Sequence, residues 1–382
     1  MSLVRFLHAA DLHLDAPLGG RLSPQLARLR RQELKEALLR LTEEARRRRV
    51  HLLLLAGDLF EAPSASPATV QFLAEAFRRI PETQVFIAPG NHDPVQGHPY
   101  YRFFSWPENV FIFAEERWTC RDLPALGVTV WGLGFTGYEV REPWLQKLRV
   151  PADGRFHLVL VHAADTSAAP GRDCPYLPFT RTDLEATGAG YVALGHYHCP
   201  RLIRRPGGSI LAAYPGSPEP LGFDEPGTHG AFYGCIAEGK LQTLEFVPLA
   251  RRRYITRQVE ITGLATLDQV AERLQALDDP ATRSSCFYAL TLVGEPDPDL
   301  IIDAEELRRR LAGKFAHLEV YDRSFPAYDL DLLSRERTAR GLFIRCVRQR
   351  LAREKEEERR LLLQRALLLG LDALSRGEVR PR

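Results

Sequence analysis

Short apolar runs alternate with amphipathic segments over the first half of the chain. Predicted strands, each a short and mainly apolar run, span residues 3–10, 51–56, 85–88, 157–161 and 191–194. Leucine and alanine recur at helical spacing between the first three of them, over residues 22–45 and 69–79. Strands that are apolar on both faces and separated by helices are typical of a largely parallel sheet with both faces covered. The pattern therefore predicts an α/β fold for this part of the chain.

Two further patterns extend the prediction along the chain. Apolar and polar residues alternate over 128–133, which indicates a strand of a second sheet, and residues 209–214 read as another strand. After residue 250 a strand–helix–strand–helix–strand order predicts a small α+β domain, and residues 334–376 are rich in helical patterns. We therefore expect three segments, which span residues 1–248, 249–328 and 329–382.

The composition is that of a globular protein, with 45% hydrophobic and 26% charged residues. Six cysteines are scattered without a CxxC pair, which argues against a zinc ribbon or a disulfide framework and favours a reducing compartment. No apolar run approaches the roughly 20 residues that span a bilayer, and the first seven residues do not read as a signal peptide. We expect a cytoplasmic protein without a membrane segment.

The net charge of +2 is unevenly distributed. Residues 333–382 carry 14 Lys/Arg and 7 Asp/Glu, so that this tail has a net charge of +7 and the rest of the chain −5. An acidic body is not typical of a purely electrostatic DNA binder, but it suits a carboxylate-rich metal site. The tail either packs on its own domain or docks a partner. We favour docking, because its charged and leucine-rich clusters are hard to bury together within one chain.

Side chains able to bind a metal follow five of the predicted strands. They are Asp11 and His13, Asp58, Asn91 with His92, His162, and finally His196 and His198. Each alone would more often be an ordinary polar residue, but the carboxyl ends of parallel strands meet at one edge of a sheet, where ligand sites of α/β folds lie. Oxygen and imidazole ligands without thiolates suit Mn²⁺ or Fe²⁺, and Zn²⁺ is a further option.

Two metal ions at this edge would suit the hydrolysis of a phosphodiester. Ions about 3.5–4 Å apart neutralise the ester and stabilise both the attacking and the leaving oxygen. Ions so close together need a shared carboxylate, and Asp58 at the tip of a central strand is the candidate bridge. We expect His92 to act as the catalytic residue that protonates or stabilises the leaving oxygen, and Asp93 to orient its ring.

These motifs, in this order, resemble those of the calcineurin-like metallophosphoesterase superfamily: DLH at 11–13, GD at 57–58, GNHD at 90–93, His162, and GHYH at 195–198. Within it, residues 10–15, 215–217 and 225–230 are similar to the SbcD-type DNA repair exonucleases, and most of all to their YhaO-like branch. The resemblance implies a four-layer α/β/β/α sandwich, a smaller α+β domain that caps the DNA side of the site, and a helical C-terminal tail.

The resemblance also implies roles and partners. Asp11, His13, Asp58 and His198 would bind one ion, and Asp58, Asn91, His162 and His196 the other, with His92 as the catalytic histidine. Relatives are Mn²⁺-dependent nucleases with 3′-to-5′ exonuclease and single-strand endonuclease activity in DNA repair. They form dimers and work with an SbcC-like coiled-coil ABC-type ATPase, which their C-terminal helices grip. We accordingly expect DNA and such an ATPase as partners, and a homodimer.

Two alternatives remain open. A phosphoesterase acting on nucleotides or small phosphoesters would use the same metal site, because a fold does not settle the substrate, although it has no evident use for the small domain and the tail. A scaffold that tethers DNA ends would be expected to have lost at least one ligand. The sequence departs from the family pattern at Ala163, where many relatives carry glycine, and it has no long lysine-rich DNA-binding stretch.

Overall fold

The computed structural model describes residues 3–18, 22–97, 99–167 and 173–376. Contacts within the chain divide it into two compact units, residues 1–253 and 254–382. In the described ranges, no helix is both long and apolar enough to cross a membrane. The division into three segments, and the roles expected for the second and third, stay predictions.

The first unit contains two six-stranded sheets. The strands of the first sheet are, in spatial order, β14 (Lys240–Pro248), β13 (Gly230–Ala237), β1 (Val4–Ala9), β2 (Leu52–Leu55), β3 (Gln84–Ile87) and β4 (Val110–Ile112). Strands β1 to β4 are parallel, whereas β13 runs antiparallel to both β1 and β14. The carboxyl ends of β1, β2 and β3 therefore lie side by side.

The second sheet is built in the same way, with parallel strands at its centre. Its strands are, in spatial order, β11 (Arg201–Arg204), β12 (Ile210–Tyr214), β10 (Tyr191–Gly195), β7 (Phe156–His162), β6 (Val128–Leu133) and β5 (Thr119–Leu123). The two edge strands, β11 and β5, are antiparallel to their neighbours. A short pair, β8 (Ala164–Asp165) and β9 (Pro178–Phe179), lies outside both sheets. The predicted strand over 128–133 is confirmed in this second sheet.

Helices and apolar clusters arrange this unit in four layers. The helices are α1 (Pro24–Arg47), α2 (Pro67–Arg78), α3 (Tyr100–Phe103) and α4 (Arg181–Ala186). The apolar stripes of α1 and α2 pack on one face of the first sheet, while a second cluster joins that sheet's other face to the second sheet. A third cluster, which includes Leu184 of α4, covers the outer face of the second sheet. The α/β/β/α fold class predicted from the sequence is confirmed.

The first sheet is mixed rather than largely parallel, because it includes the antiparallel β13–β14 hairpin. The sequence pattern did not predict this hairpin. Glycine lowers strand propensity, and β13 contains Gly230 and Gly234. Gly234 lies against the ring of Phe6, where a Cβ would come within 2.2 Å of a ring carbon. Strand β9 and the start of α4 also lie where the sequence pattern predicted no element, between residues 173 and 182.

The second unit has a small sheet and a helical end. Its strands are, in spatial order, β15 (Arg253–Glu260), β16 (Cys286–Val293) and β17 (His317–Asp322), and α5 (Leu267–Gln275), α6 (Pro280–Ser285) and α7 (Ala304–Arg310) lie between them in sequence. The chain ends in α8 (Leu330–Ser334), α9 (Ala339–Arg353) and α10 (Glu357–Arg376). Helices α9 and α10 share a small apolar cluster of their own. The helical C-terminal segment is thus confirmed.

Candidate metal centre

The strand ends that carry the predicted ligands meet at one place in the first unit. Backbone bonds tie the loops after β1 and β2 together: the N–H of Asp11 donates to the carbonyl of Gly57 at 3.0 Å, and the N–H of His13 to that of Asp58 at 2.9 Å. The second sheet is attached through the N–H of His196, which donates to both carboxylate oxygens of Asp11 at 3.1 and 3.2 Å. Side chains 185 residues apart are thereby brought together.

Several of these residues adopt a backbone conformation that favours glycine. The φ angle is 55° at Asp11, 44° at His13, 54° at Asp58 and 113° at His196. Such angles cost free energy in a non-glycine residue, and they cluster at functional sites where the surrounding bonds hold them. Gly90 adds a close approach, since a Cβ there would lie 2.2 Å from a carboxylate oxygen of Asp58. The loops are therefore shaped to point these side chains inward.

The inward side chains form overlapping groups whose possible metal-binding atoms lie within 4.8 Å of one another. Two of these groups consist of predicted ligands only, Asp11 with His13 and His198, and Asp11 with Asp58 and His162, and we call them the two ligand groups. A third group joins His13 to Glu61 and His92. One oxygen of Asp58 lies 3.8 Å from Nε2 of His13 and 3.3 Å from Nε2 of His162. This oxygen therefore lies between His13 of the first group and His162 of the second, as expected for the predicted bridging carboxylate.

Asn91 and His196 complete the predicted set on the side of His162. The amide oxygen of Asn91 lies 2.9 Å from Nε2 of His162. The ring of His196 has its centre 5.2 Å from that of His162. All seven predicted ligands are thus brought to one centre.

The donor set fits divalent metal ions. His13 and His198 each direct Nδ1 at a carboxylate, and their Nε2 atoms face one another at 3.1 Å. Two neutral rings would oppose lone pairs there, so a proton or a cation must lie between them. Burial raises the pKa of both Asp11 and Asp58, as expected for two carboxylates that share a site without positive ions. Bound cations would satisfy both groups.

The ring of His92 stands at the open side of this centre. Its Nδ1 bonds to an oxygen of Glu61 at 2.9 Å, and its side chain is 45% exposed. The other oxygen of Glu61 bonds to Nδ1 of His13 at 2.7 Å, so this carboxylate links the predicted catalytic ring to a predicted ligand. The bond to Glu61 is the main cause that raises the pKa of His92, to about 9.

The expectation that Asp93 orients His92 is wrong, because the Asp93 carboxylate points elsewhere. It accepts the N–H groups of Asp58, Leu59 and Gly90 at 3.0, 2.7 and 2.7 Å, and the hydroxyl of Tyr101 at 2.6 Å. Asp93 is fully buried and joins the loop after β2 to the loop after β3. It shapes the centre through the backbone, and Glu61 is the residue that holds the ring.

Sequence reasoning missed Glu61 and Glu225 as parts of the site. Glu225 accepts Nδ1 of His198 at 2.6 Å. Glu61 follows Asp58 by three residues, a spacing that could have drawn attention to it. Glu225 lies 27 residues after His198, and nothing in the local pattern links the two.

Comparison with known proteins bears on this geometry. The family model of the calcineurin-like phosphoesterases matches residues 4–200, which is more than half of the chain and includes every predicted ligand. The chain belongs to the calcineurin-like phosphoesterase family. Members of this family are metal-dependent phosphoester hydrolases whose fold binds two divalent ions, in agreement with the two ligand groups of this phosphoesterase.

Several proteins resemble this phosphoesterase. The uncharacterized metallophosphoesterase YhaO of Bacillus subtilis is 31% identical over 245 residues, which are 62% of this chain and 58% of that protein. The DNA double-strand break repair protein Mre11 of Methanopyrus kandleri is 27% identical over 298 residues, 71% of this chain and 62% of that protein. The chain thus matches about 60% of the length of either relative. A dimetal phosphatase structure from Danio rerio matches with a TM-score of 0.39 and 12% identity, over 64% of this chain and 97% of that one.

Proposed function

We propose that this phosphoesterase is a two-metal, Mn²⁺-dependent DNA nuclease that processes DNA ends in double-strand-break repair. In this proposal it has 3′-to-5′ exonuclease and single-strand endonuclease activity. The observation that carries hydrolysis is the pair of ligand groups around Asp58, with the half-exposed ring of His92 beside them. DNA as the substrate is supported by the similarity to Mre11, which extends over 298 residues and so exceeds the matched family domain.

The proposed metal positions use the seven side chains described above. Asp11, His13, Asp58 and His198 would hold one ion, and Asp58, Asn91, His162 and His196 would hold the other. When bound, the two ions would neutralise the charge of the phosphodiester and make a water molecule a better nucleophile.

The chain's own contribution to proton transfer is His92. The bond to Glu61 raises the pKa of its ring, which favours the doubly protonated form that a proton donor needs. The Nδ1 proton of His92 is donated to Glu61. The proton on Nε2 is therefore the one that the ring donates to the leaving oxygen. The N–H of His92 donates to Asp58 at 2.9 Å, which holds the residue at the edge of the centre.

The remaining segments serve DNA and a partner in this proposal. Residues 249–328 cap the DNA side, and α9 and α10 dock a coiled-coil SbcC-like ABC-type ATPase. Exposed leucines support docking: Leu342, Leu361 and Leu362 are 57%, 51% and 67% exposed. Leu361 and Leu362 are adjacent in sequence, and contiguous exposed apolar surface marks interaction sites. The protein acts as a homodimer in the same proposal.

Cleavage of an end-labelled DNA duplex, of a single strand and of p-nitrophenyl esters, each with and without Mn²⁺, tests the proposal. We expect Mn²⁺-dependent DNA cleavage, and a loss of about 10²- to 10⁴-fold in His92→Ala, because general acid catalysis contributes about that factor. His92→Ala should still bind two ions per chain, since His92 is not a proposed ligand.

Two results would contradict this assignment. Loss of metal in His92→Ala would make His92 a ligand rather than the proton donor. Turnover of the ester without DNA cleavage, with the SbcC-like ATPase also present, would favour the alternative of a phosphoesterase for nucleotides or small phosphoesters.

A further inference from the structure

The histidines of the centre differ in the groups that contact the side of each ring facing away from the proposed metal ions, which we describe as lying behind the ring. His198 and His13 each bond through Nδ1 to a carboxylate, at 2.6 Å to Glu225 and at 2.7 Å to Glu61. We call His13 and His198 the carboxylate-backed pair. Each ring has its far nitrogen held by a negative charge, which leaves Nε2 directed into the centre.

Within the described residues, no carboxylate is hydrogen-bonded to the rings of the other two histidines. His162 bonds through Nδ1 to the carbonyl of Ala56 at 2.9 Å, and an oxygen of Asp11 lies 3.9 Å from the same nitrogen, beyond hydrogen-bond distance. The ring of His196 lies against the rings of Tyr176 and Tyr197, with centre distances of 5.0 and 5.1 Å, and within the described residues no carboxylate bonds to it. We call His162 and His196 the neutral-backed pair.

The remaining carboxylates do not remove this difference. An oxygen of Asp58 lies within 4 Å of a histidine in each pair, so Asp58 favours the two metal positions alike. Asp11 is a proposed ligand of the position at the carboxylate-backed pair, and its charge favours that same position. The charge of Asp93 is balanced by three backbone N–H groups and the Tyr101 hydroxyl.

Hydrogen bonds within the fold fix the Glu225 carboxylate where it accepts the Nδ1 proton of His198. It is 5% exposed, and its second oxygen accepts the hydroxyl of Ser217 at 2.8 Å and the N–H of Leu221 at 3.0 Å. The first oxygen is left for His198. The N–H of Ser217 also donates to the carbonyl of His198 at 3.0 Å, so one loop holds both the ring and the backbone of this ligand.

We propose that the two metal positions are unequal, and that Glu225 is a positioning residue which, with Glu61, makes the position at the carboxylate-backed pair the tighter one. The tight position fills first, and the position at the neutral-backed pair takes its ion at a higher metal concentration. This inference rests on the two-metal centre of the proposed function. Its physical reason is that a carboxylate behind a ligating imidazole fixes the ring and raises the basicity of its other nitrogen. A charged acceptor also bonds about twice as strongly as a neutral carbonyl.

Titration of Mn²⁺ alone into the metal-free full-length chain tests the proposal, with free Mn²⁺ measured by its electron paramagnetic resonance signal. We expect two classes of site in the wild type. Glu225→Gln should weaken the tight class by about 10- to 100-fold, the usual effect of losing such a partner, and leave the weak class unchanged. Glu225 is preferred to Glu61 because it does not touch His92.

Glu219→Gln is the matched control. Glu219 is a buried carboxylate of the same loop that bonds to Arg30 at 2.8 Å and Arg40 at 3.1 Å instead of to the centre. It should change the stability of the chain while leaving the tight class unchanged. A tight class weakened equally by Glu219→Gln and Glu225→Gln would show a general effect of the loop and would overturn the proposal.

Equal Mn²⁺ affinities of the two sites in the wild type would also overturn the proposal. So would an equal loss of Mn²⁺ affinity at both sites in Glu225→Gln. If circular dichroism shows Glu225→Gln to be unfolded, Ser217→Ala replaces it, because this change removes one bond that orients Glu225. It should weaken the tight class alone, by a smaller factor, and an unchanged tight class would contradict the proposal. These titrations use no substrate, so absent DNA cleavage would refute the nuclease without touching this inference.

Discussion

Buried histidines of the first unit have two different roles, and the position of each histidine along its strand indicates which role it has. His8 lies within β1, where its Nδ1 accepts the hydroxyl of Tyr191 at 2.9 Å and its Nε2 donates to the carbonyl of Leu194 at 3.1 Å. It joins the two sheets and has no nitrogen left for a metal. His162 ends β7, and its Nε2 faces Asn91 and Asp58. The ring at the strand end is the candidate ligand, and the ring inside the strand is structural.

The burial of His8 predicts a dependence of stability on pH. Burial lowers the pKa of His8 to about 3, whereas in the unfolded chain it titrates near 6.5. Below pH 6.5 the unfolded state therefore binds a proton that the folded state does not, and stability falls as the pH falls toward 3. The free energy of unfolding should decrease through His8 alone by up to about 1.4 kcal/mol per pH unit.

Urea unfolding of the metal-free wild type and His8→Gln between pH 7 and 4 measures this effect. The free energy of unfolding is plotted against pH for each protein, and the two slopes are compared. Because both proteins share the histidines of the metal centre, the difference between the slopes reports on His8. We expect the variant to lose less free energy of unfolding per pH unit. Equal slopes for the two proteins would contradict the assignment.

At the scale of elements, the end of α1 carries an arginine where glycine is usual. The N–H of Arg49 donates to the carbonyl of Arg46, and that of Val50 to the carbonyl of Ala45. This is the bond pattern of a Schellman motif, whose C′ residue is left-handed and usually glycine. Arg49 has a φ of 49°, which costs about 1–2 kcal/mol in a residue with a Cβ.

Arg49→Gly should therefore raise the stability of the first unit, by about 0.5–1 kcal/mol once the greater freedom of glycine in the unfolded chain is included. The carbonyl of residue 49, which accepts Nε of Arg5, is retained. Arg47→Gly, within the last turn of α1, is the control and should destabilise by about 1 kcal/mol. Denaturant midpoints of the three proteins measure both effects. A loss of stability in Arg49→Gly would show that its side chain outweighs the strain.

At the scale of the whole molecule, the tail forms a small core of its own. Ile344, Val347, Leu367 and Leu371 are buried between α9 and α10, while Leu361 and Leu362 stay exposed. One set of apolar residues of the tail thus packs within the chain, and a second set is exposed, while docking of a partner stays a prediction.

Removal of residues 333–382 should leave the cleavage of short single strands intact and weaken the association with an SbcC-like ATPase. The proposed catalytic histidine and the proposed metal ligands all lie before residue 200, and the buried cluster of the tail contains none of them. Sedimentation of the mixed proteins measures association. Leu361→Glu with Leu362→Glu is the milder variant, since these exposed side chains are absent from the tail's own core. Unchanged association in both would show that the tail is not the docking surface.

The sequence by itself determined the layered α/β fold and the candidate ligands at the strand ends. Both follow from local pattern, since apolar runs predict buried strands and parallel strands bring their carboxyl ends to one edge. Asp11, Asp58 and His162 could be predicted for this reason. The alternation of strands and helices after residue 250 and the helices near the end of the chain were also predictable, from the period of their apolar residues.

Only the tertiary structure decided which groups stand behind those ligands. Glu225 meets His198 through a loop, and His8 meets Tyr191 across two sheets and 183 residues. A carboxylate in a loop has no periodic signal, so its partner depends on how the sheets pack and how the loop returns. The same holds for Asp93, whose expected partner was His92 and whose actual partners are backbone N–H groups and Tyr101. Local pattern specifies where a strand ends, and packing specifies what its last side chain touches.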